Sequence, residues 1–160
     1  MKKRRLIVIV AAVVFVLGVC LLPLPMKRNL EVKGYERSKD GATLEEVTIE
    51  VDCWEWNFLF LQDKLTGTVQ VNYQSGSISM ELNNGDKMPG GTFQASGRGY
   101  QNDQGSEEGK YLYGASMMCN EDVTMIAVRT FTEEQERYFV GAKDSTITAE
   151  NIWSYFYGNP

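Results

Sequence analysis

The 160-residue chain contains no histidine. This absence excludes Ser-His-Asp and Cys-His catalysis, histidine general bases and most catalytic zinc sites. Carboxylate pairs remain, but neighbours such as Glu45 and Glu46 point to opposite faces of a strand and cannot act together as acid and base. We therefore expect a protein that is not an enzyme and that holds no metal ion or cofactor.

Basic residues are scarce beyond the N-terminal region. Six of the 16 Lys and Arg residues lie within residues 2–28, which leaves 10 to set against all 21 Asp and Glu residues from Asn29 onward. The net charge of this part of the chain is therefore −11. Such an acidic domain repels phosphate backbones, so we expect no nucleic-acid partner.

Charge is absent from one long N-terminal run. Leu6 to Leu22 comprises 17 uncharged residues, and counting on to Met26 gives 21. At about 1.5 Å per residue this length matches a hydrocarbon core of roughly 30 Å. We predict a transmembrane helix at 6–26, in contact with the lipid bilayer, behind a short basic segment at 1–5.

Two other interpretations of this segment stay open. A cleaved signal peptide lacks an A-x-A-like site near its end. A lipidated Cys20 would follow Val19, which is bulkier than the small residue expected there. Four basic residues precede the run and two follow it, which favours a cytoplasmic N-terminus. The expected location is the cell membrane, with a single span and the C-terminal domain outside.

The polar segment 27–42 is interpreted as a stalk or linker, and 43–160 as one extracytoplasmic β-rich domain. The densest apolar stretch of this domain, Thr43 to Gln62, alternates with the period of a strand. Its apolar side chains occupy odd positions as far as Cys53, and its rings occupy even positions afterwards: Trp54, Trp56, Phe58 and Phe60. This change of phase predicts a β-bulge or bend at Cys53/Trp54.

The rings invite two hypotheses. In the first they fill the core, while Glu55 and Asn57 on the opposite face meet solvent. In the second, Trp54, Trp56 and Phe58 line a pocket for a small apolar ligand.

Two further features support a β-rich fold with a helical end. Residues 65–73 and 77–82 alternate around a turn and predict a hairpin. Thr148 as N-cap, followed by apolar residues at helical spacing, predicts a short C-terminal helix. Together with the other alternating stretches these patterns indicate seven or eight antiparallel strands. An antiparallel β-sandwich is the expected fold, and a small barrel is the alternative.

Cys53 and Cys119 each continue an apolar alternation. Both cysteines are expected on the outer side of the membrane, where two thiols allow one disulfide. The alternative is that they are two small buried thiols in the core. Taken together, the sequence predicts a membrane-anchored interaction or structural module of the cell envelope with an envelope protein as partner. The alternative is a β-domain that binds a small apolar ligand.

Overall fold

The structure, a computed structural model, describes residues 2–59, 61–103, 109–133 and 135–158, and Phe60 lies outside this part of the chain. Two helices and nine strands are found there. They are, in order, α1 Lys2–Leu21, β1 Leu24–Arg37, β2 Thr43–Asn57, β3 Lys64–Tyr73, β4 Gly76–Lys87, β5 Phe93–Asp103, β6 Lys110–Tyr111, β7 Gly114–Cys119, β8 Met125–Phe131, β9 Glu136–Ala142 and α2 Ala149–Tyr157.

The strands form a closed antiparallel barrel. Each long strand pairs with the next one along the chain, and β9 returns to pair with β1 through Gly34–Arg37. Eight strands make the wall, and the two-residue β6 adds only to β5. The barrel alternative is therefore confirmed and the sandwich is wrong. Apolar and polar side chains alternate along the strands in both a sandwich and a barrel. The barrel is distinguished by the pairing of β1 with β9, which joins residues such as Gly34 and Gly141 that are far apart in the sequence.

The two ends of the barrel differ in their connections. The proximal end comprises the start of β1, residues 58–59 and 61–63 between β2 and β3, the turn 88–92 and the turn 120–124. The distal end comprises the turns 38–42 and 74–75, the end of β5, and residues 132–133 and 135 between β8 and β9. The hairpin predicted from 65–82 is confirmed as β3 and β4.

Strand β2 keeps a single phase along its whole length, so the predicted bulge at Cys53/Trp54 is wrong. Glu55 continues the inward set after Cys53 and is only 4% exposed. Trp54 points outward and is 42% exposed. The Glu55 carboxylate can be buried because Arg28 of β1 donates a hydrogen bond to it across the strand pair.

Strand β1 occupies most of the predicted stalk at 27–42 and begins inside the predicted anchor at 6–26. Its inward side chains include Leu30, Val32 and Glu36, and intervening charged residues obscured this period in the sequence. Pro23 and Pro25 follow the end of α1, because proline cannot continue a helix. Pro25 is tolerated in a strand here because β9 pairs only with the other end of β1.

Helix α1 contains the uncharged run except for Leu22, and its described side chains are exposed on every face. Phe15, for example, is 72% exposed. Within the described ranges, no helix is long and apolar enough to cross a membrane. The side chain of Cys20 lies outside the described part of the chain.

The predicted C-terminal helix is confirmed as α2. Thr148 is its N-cap, and the side chains of Thr148 and Asn151 form a reciprocal capping box. The helix packs Ile152 and Trp153 on the outer face of β8 and β9, against Ala127 and Tyr138. This small outer core depends on tertiary contacts, because nine residues make a marginal helix in isolation.

Candidate functional site

The barrel interior is filled by side chains. The largest residues with essentially no exposed surface come from strands on all sides of the wall: Ile49, Leu65, Ile78, Met80, Leu82, Phe93, Met117, Ile126 and Phe139. An eight-stranded barrel is just wide enough either for such filling or for one small ligand. Here the side chains occupy the space, so the interior is a packed core.

The rings of the predicted ligand pocket lie outside this core. Trp54 and Trp56 project from the outer face of β2 with their ring centroids 6.4 Å apart. The indole Nε1 of Trp56 donates to Thr66 Oγ1 on β3 at 3.0 Å. Phe58 begins the proximal loop, where its backbone N–H donates to Asp63 Oδ1 at 2.9 Å. Four surface cavities are described in the following paragraphs, and none of these four is lined by Trp54, Trp56 or Phe58.

Both cysteines of the barrel are free and point into the core. Burial, with a smaller contribution from nearby Asp52 and Glu55, raises the pKa of the Cys53 thiol to about 11. Burial likewise raises the pKa of the Cys119 thiol to about 12. Neither is a thiolate at neutral pH, and thiols in such surroundings are inert. The structure thus has the buried thiols of the second interpretation rather than the disulfide.

The main polar constellation lies inside the distal end, and we call it the distal cluster: Glu36, Tyr73, Gln101, Asp103 and Arg137. Arg137 donates from Nε to Glu36 Oε1 at 2.7 Å and from Nη2 to Glu36 Oε2 at 2.5 Å. Its guanidinium lies 4.0 Å from the ring centroid of Tyr73. The Tyr73 hydroxyl donates to Asp103 Oδ1 at 2.8 Å, and Gln101 Nε2 donates to the same carboxylate.

The electrostatics of the distal cluster favour a structural role. Burial and the bond to Asp103 raise the pKa of Tyr73 to about 12. The hydrogen bond from Gln101, followed by that from Tyr73, lowers the pKa of Asp103. These two groups therefore do not exchange protons near neutral pH, as a general acid or base must. Arg137 is already bidentate to Glu36, so its charge is neutralised within the wall.

Two buried oxygens close to this cluster, Gln101 Oε1 and Thr130 Oγ1, have no hydrogen-bond partner. Thr130 is the register partner of Arg137 on the neighbouring strand. Sequence reasoning missed the whole cluster, because Glu36 and Arg137 are 101 positions apart and neither belongs to a local motif.

Tyrosines form an exposed surface at the distal end, which we call the tyrosine surface: Tyr100, Tyr111 and Tyr113. Tyr111 and Tyr113 are 72% and 71% exposed. The rings of Tyr100 and Tyr111 lie 4.5 Å apart, and the Tyr113 hydroxyl donates to Glu133. A cavity of about 400 Å³ opens between Tyr111, Tyr113, Thr132 and Glu133. The sequence shows the alternation at 111–113, but it does not show that these tyrosines lie at the distal end of the barrel.

A groove follows the β1–β9 seam on the outer surface. It has a volume of about 590 Å³ and runs between Lys33 and Tyr35 on one side and Ala142 to Ile152 on the other. It exists because β9 ends where β1 still continues toward Leu24. Two shallower concavities lie on the outer face of β1 to β3.

Across the described ranges, no group of three or more Cys, Asp or Glu side chains is arranged to hold a metal ion. Comparison of the chain with protein-family models, with curated proteins and with solved structures found no match.

Proposed function

We propose that this chain is a membrane-tethered extracytoplasmic β-barrel that acts as an interaction module of the cell envelope. The observation that carries the proposal is the contrast between a filled interior and the exposed tyrosine surface at the distal end. A filled barrel has no room for a cargo molecule, so its function falls to its outer surface. Tyrosine is one of the residue types, with tryptophan and arginine, that are enriched among the residues carrying most of the binding energy in protein–protein contacts.

The tether is proposed from the N-terminal segment. Residues 6–21 of the uncharged run belong to helix α1 together with the basic residues before them, and the apolar side chains described for this helix are exposed. Four basic residues precede the run, which favours a cytoplasmic N-terminus and an outward barrel. In this arrangement the tyrosine surface lies at the end of the barrel opposite to the tether.

An envelope protein is the proposed partner of the tyrosine surface. Tyr111 and Tyr113 offer large apolar area with a hydroxyl at the tip, and Glu133 supplies a carboxylate beside them. We propose no catalytic activity, no cofactor and no nucleic-acid partner for the module. The alternative ligand site at Trp54, Trp56 and Phe58 has less support, because these rings lie on an open outer face.

The proposal is tested by site-specific photo-cross-linking in intact cells. A benzophenone amino acid replaces Tyr113 in one variant and Tyr155 in a control, because Tyr155 is also an exposed tyrosine but lies on α2. We expect a discrete adduct with an envelope protein from position 113 and none from position 155. Equal labelling at both positions, or no adduct from positions 100, 111 and 113, would contradict the proposed interaction surface.

A further inference from the structure

The proximal end of the barrel carries large apolar side chains that face solvent. Leu59 is 65% exposed and Leu61 is 59% exposed, both in the loop between β2 and β3. The same end exposes further apolar side chains on its rim and outer face: Leu24, Met26, Trp54 and Met88. We call these six side chains the proximal rim. Large exposed apolar side chains that gather at one end of a domain are candidates for contact with a membrane or a protein.

The loop and the turn that carry this rim are held together. Gln62 Nε2 donates to the carbonyl oxygen of Lys87 at 2.6 Å, and Lys87 N–H donates to the Asp63 carbonyl. In β1 and β2 the register places Met26 opposite Glu55 and Lys27 opposite Trp54. These contacts join the end of the loop between β2 and β3 to the strand end that precedes Met88.

The position of the rim along the chain points to its occupant. Helix α1 ends at Leu21 and β1 begins at Leu24, so the strand starts within about 11 Å of the end of the helix. If α1 lies in a bilayer, the proximal end must lie at the surface of that bilayer. Trp54 and Trp56 lie within three residues of Asn57, where β2 ends. They would then lie at the membrane–water interface, where tryptophan is enriched in membrane proteins.

Basic side chains compensate the carboxylates that lie near the rim in β1 to β4 and in the loop between β2 and β3. Four carboxylates near the rim each have a basic partner: Asp52 with Lys27, Glu55 with Arg28, Asp63 with Lys87 and Asp86 with Lys64. Counted from Lys27, 12 basic and 21 acidic residues give a net charge of −9, to which these four pairs contribute nothing. An uncompensated acidic surface would be repelled by an anionic leaflet, and these pairs reduce that repulsion, while the turn 120–124 adds Glu121, which shares Lys87, and Asp122.

We propose that the proximal rim inserts into the headgroup region of the lipid bilayer and holds the barrel upright on the membrane. The proposal rests on the tether of the proposed function and deepens it, because it assigns a second, separate membrane contact to the barrel itself. The contact is apolar and needs no anionic lipid. It fixes the direction in which the tyrosine surface points.

The test uses the full chain reconstituted in phosphatidylcholine vesicles whose acyl chains are brominated near the headgroup. Bromine quenches nearby indoles, and the chain has three: Trp54 in the proximal rim, Trp56 beside it on β2, and Trp153 on the side of α2 that packs against Tyr138. We expect a loss of tryptophan fluorescence relative to non-brominated vesicles, unchanged in 1 M salt. The double variant W54F/W56F should lose this quenching, because only Trp153 remains.

Matched variants separate the rim from the tether. Leu59→Asp with Leu61→Asp should abolish quenching, while Leu44→Asp, an exposed leucine at the distal start of β2, should not. Met88→Asp, in a different turn, gives an independent second variant, and the melting temperature of each variant verifies folding. Quenching that persists in both rim variants would overturn the proposal.

Flotation with the vesicles distinguishes the two levels of failure. A chain that floats but shows no quenching retains its tether and overturns the rim proposal alone. A chain that does not float overturns both.

Discussion

Arg137 and Glu36 form a bidentate ion pair inside the barrel, at the seam where β9 meets β1. Both side chains are 9% exposed, and Arg137 also lies 3.5 Å from Glu45 Oε1, whereas the counter-charge described for Glu36 is that of Arg137. The seam has only four register pairs, from Gly34 with Gly141 to Arg37 with Tyr138. The ion pair therefore reinforces the shortest contact between long strands, the one that closes the barrel.

Removing one partner of this pair should destabilise the fold strongly. For Arg137→Met we expect a loss of about 3–5 kcal/mol in the free energy of unfolding, because Glu36 would remain buried without a counter-charge. Lys64→Met is the control, because the Lys64–Asp86 pair is largely exposed and such pairs contribute at most about 1 kcal/mol. Urea unfolding of the full chain in detergent measures both. Glu36→Gln with Arg137→Met should recover part of the loss, and equal effects of Arg137→Met and Lys64→Met would contradict the burial of the pair.

Alkaline pH should weaken the barrel through Tyr73. Its pKa is raised to about 12 in the folded chain, whereas the unfolded chain releases the same proton near pH 10. This contribution to stability is therefore fully present below pH 10 and is lost as the pH rises toward 12. Melting temperatures measured across this window should fall less steeply for Tyr73→Phe. A slope identical to that of the parent chain would show that Tyr73 is not buried as described.

The thiols of Cys53 and Cys119 should be unreactive in the folded chain and free in the unfolded chain. In a Cys20→Ser background, iodoacetamide at pH 8 should leave the native protein unmodified, because both groups are buried and their pKa values are raised. In urea without reductant the mass should increase by two alkyl groups. If alkylation in urea occurs only after reduction, the two cysteines are bridged.

A side chain at Gly34 should open the barrel seam. A Cβ there would lie 2.4 Å from the Val140 carbonyl oxygen on β9. We expect Gly34→Ala to cost about 1–3 kcal/mol, as overpacking does. Gly114→Ala is the matched strand control, since its Cβ would meet only Phe131 Cδ2 at 3.4 Å. Urea midpoints that shift equally in the two variants would argue against close contact of β1 and β9.

The elements that could be predicted from the sequence are those whose signal is local. The β3–β4 hairpin follows from unbroken alternation around a turn, and α2 follows from Thr148 and the helical spacing after it. Both elements have the expected type and position. Closure into a barrel had no such signal, because β1 and β9 are joined by residues from opposite ends of the domain.

The phase of β2 was predicted wrongly for a physical reason. Ring side chains are usually buried and carboxylates exposed, so Trp54 was expected inside and Glu55 outside. The structure reverses both positions, because Arg28 on β1 neutralises Glu55 at 2.9 Å. The partner lies 27 positions earlier, in a segment that was interpreted as a stalk.

The most direct test of the account is the topology of the full chain in intact cells. In a Cys20→Ser background, Leu44→Cys places an exposed thiol at the distal end, while Cys53 and Cys119 are buried. A membrane-impermeant maleimide should label this thiol before lysis, on a chain of full-length mass that stays in the membrane fraction after an alkaline carbonate wash. Labelling only after lysis, or recovery of the chain in the soluble fraction, would contradict an outward barrel tethered by its N-terminal helix.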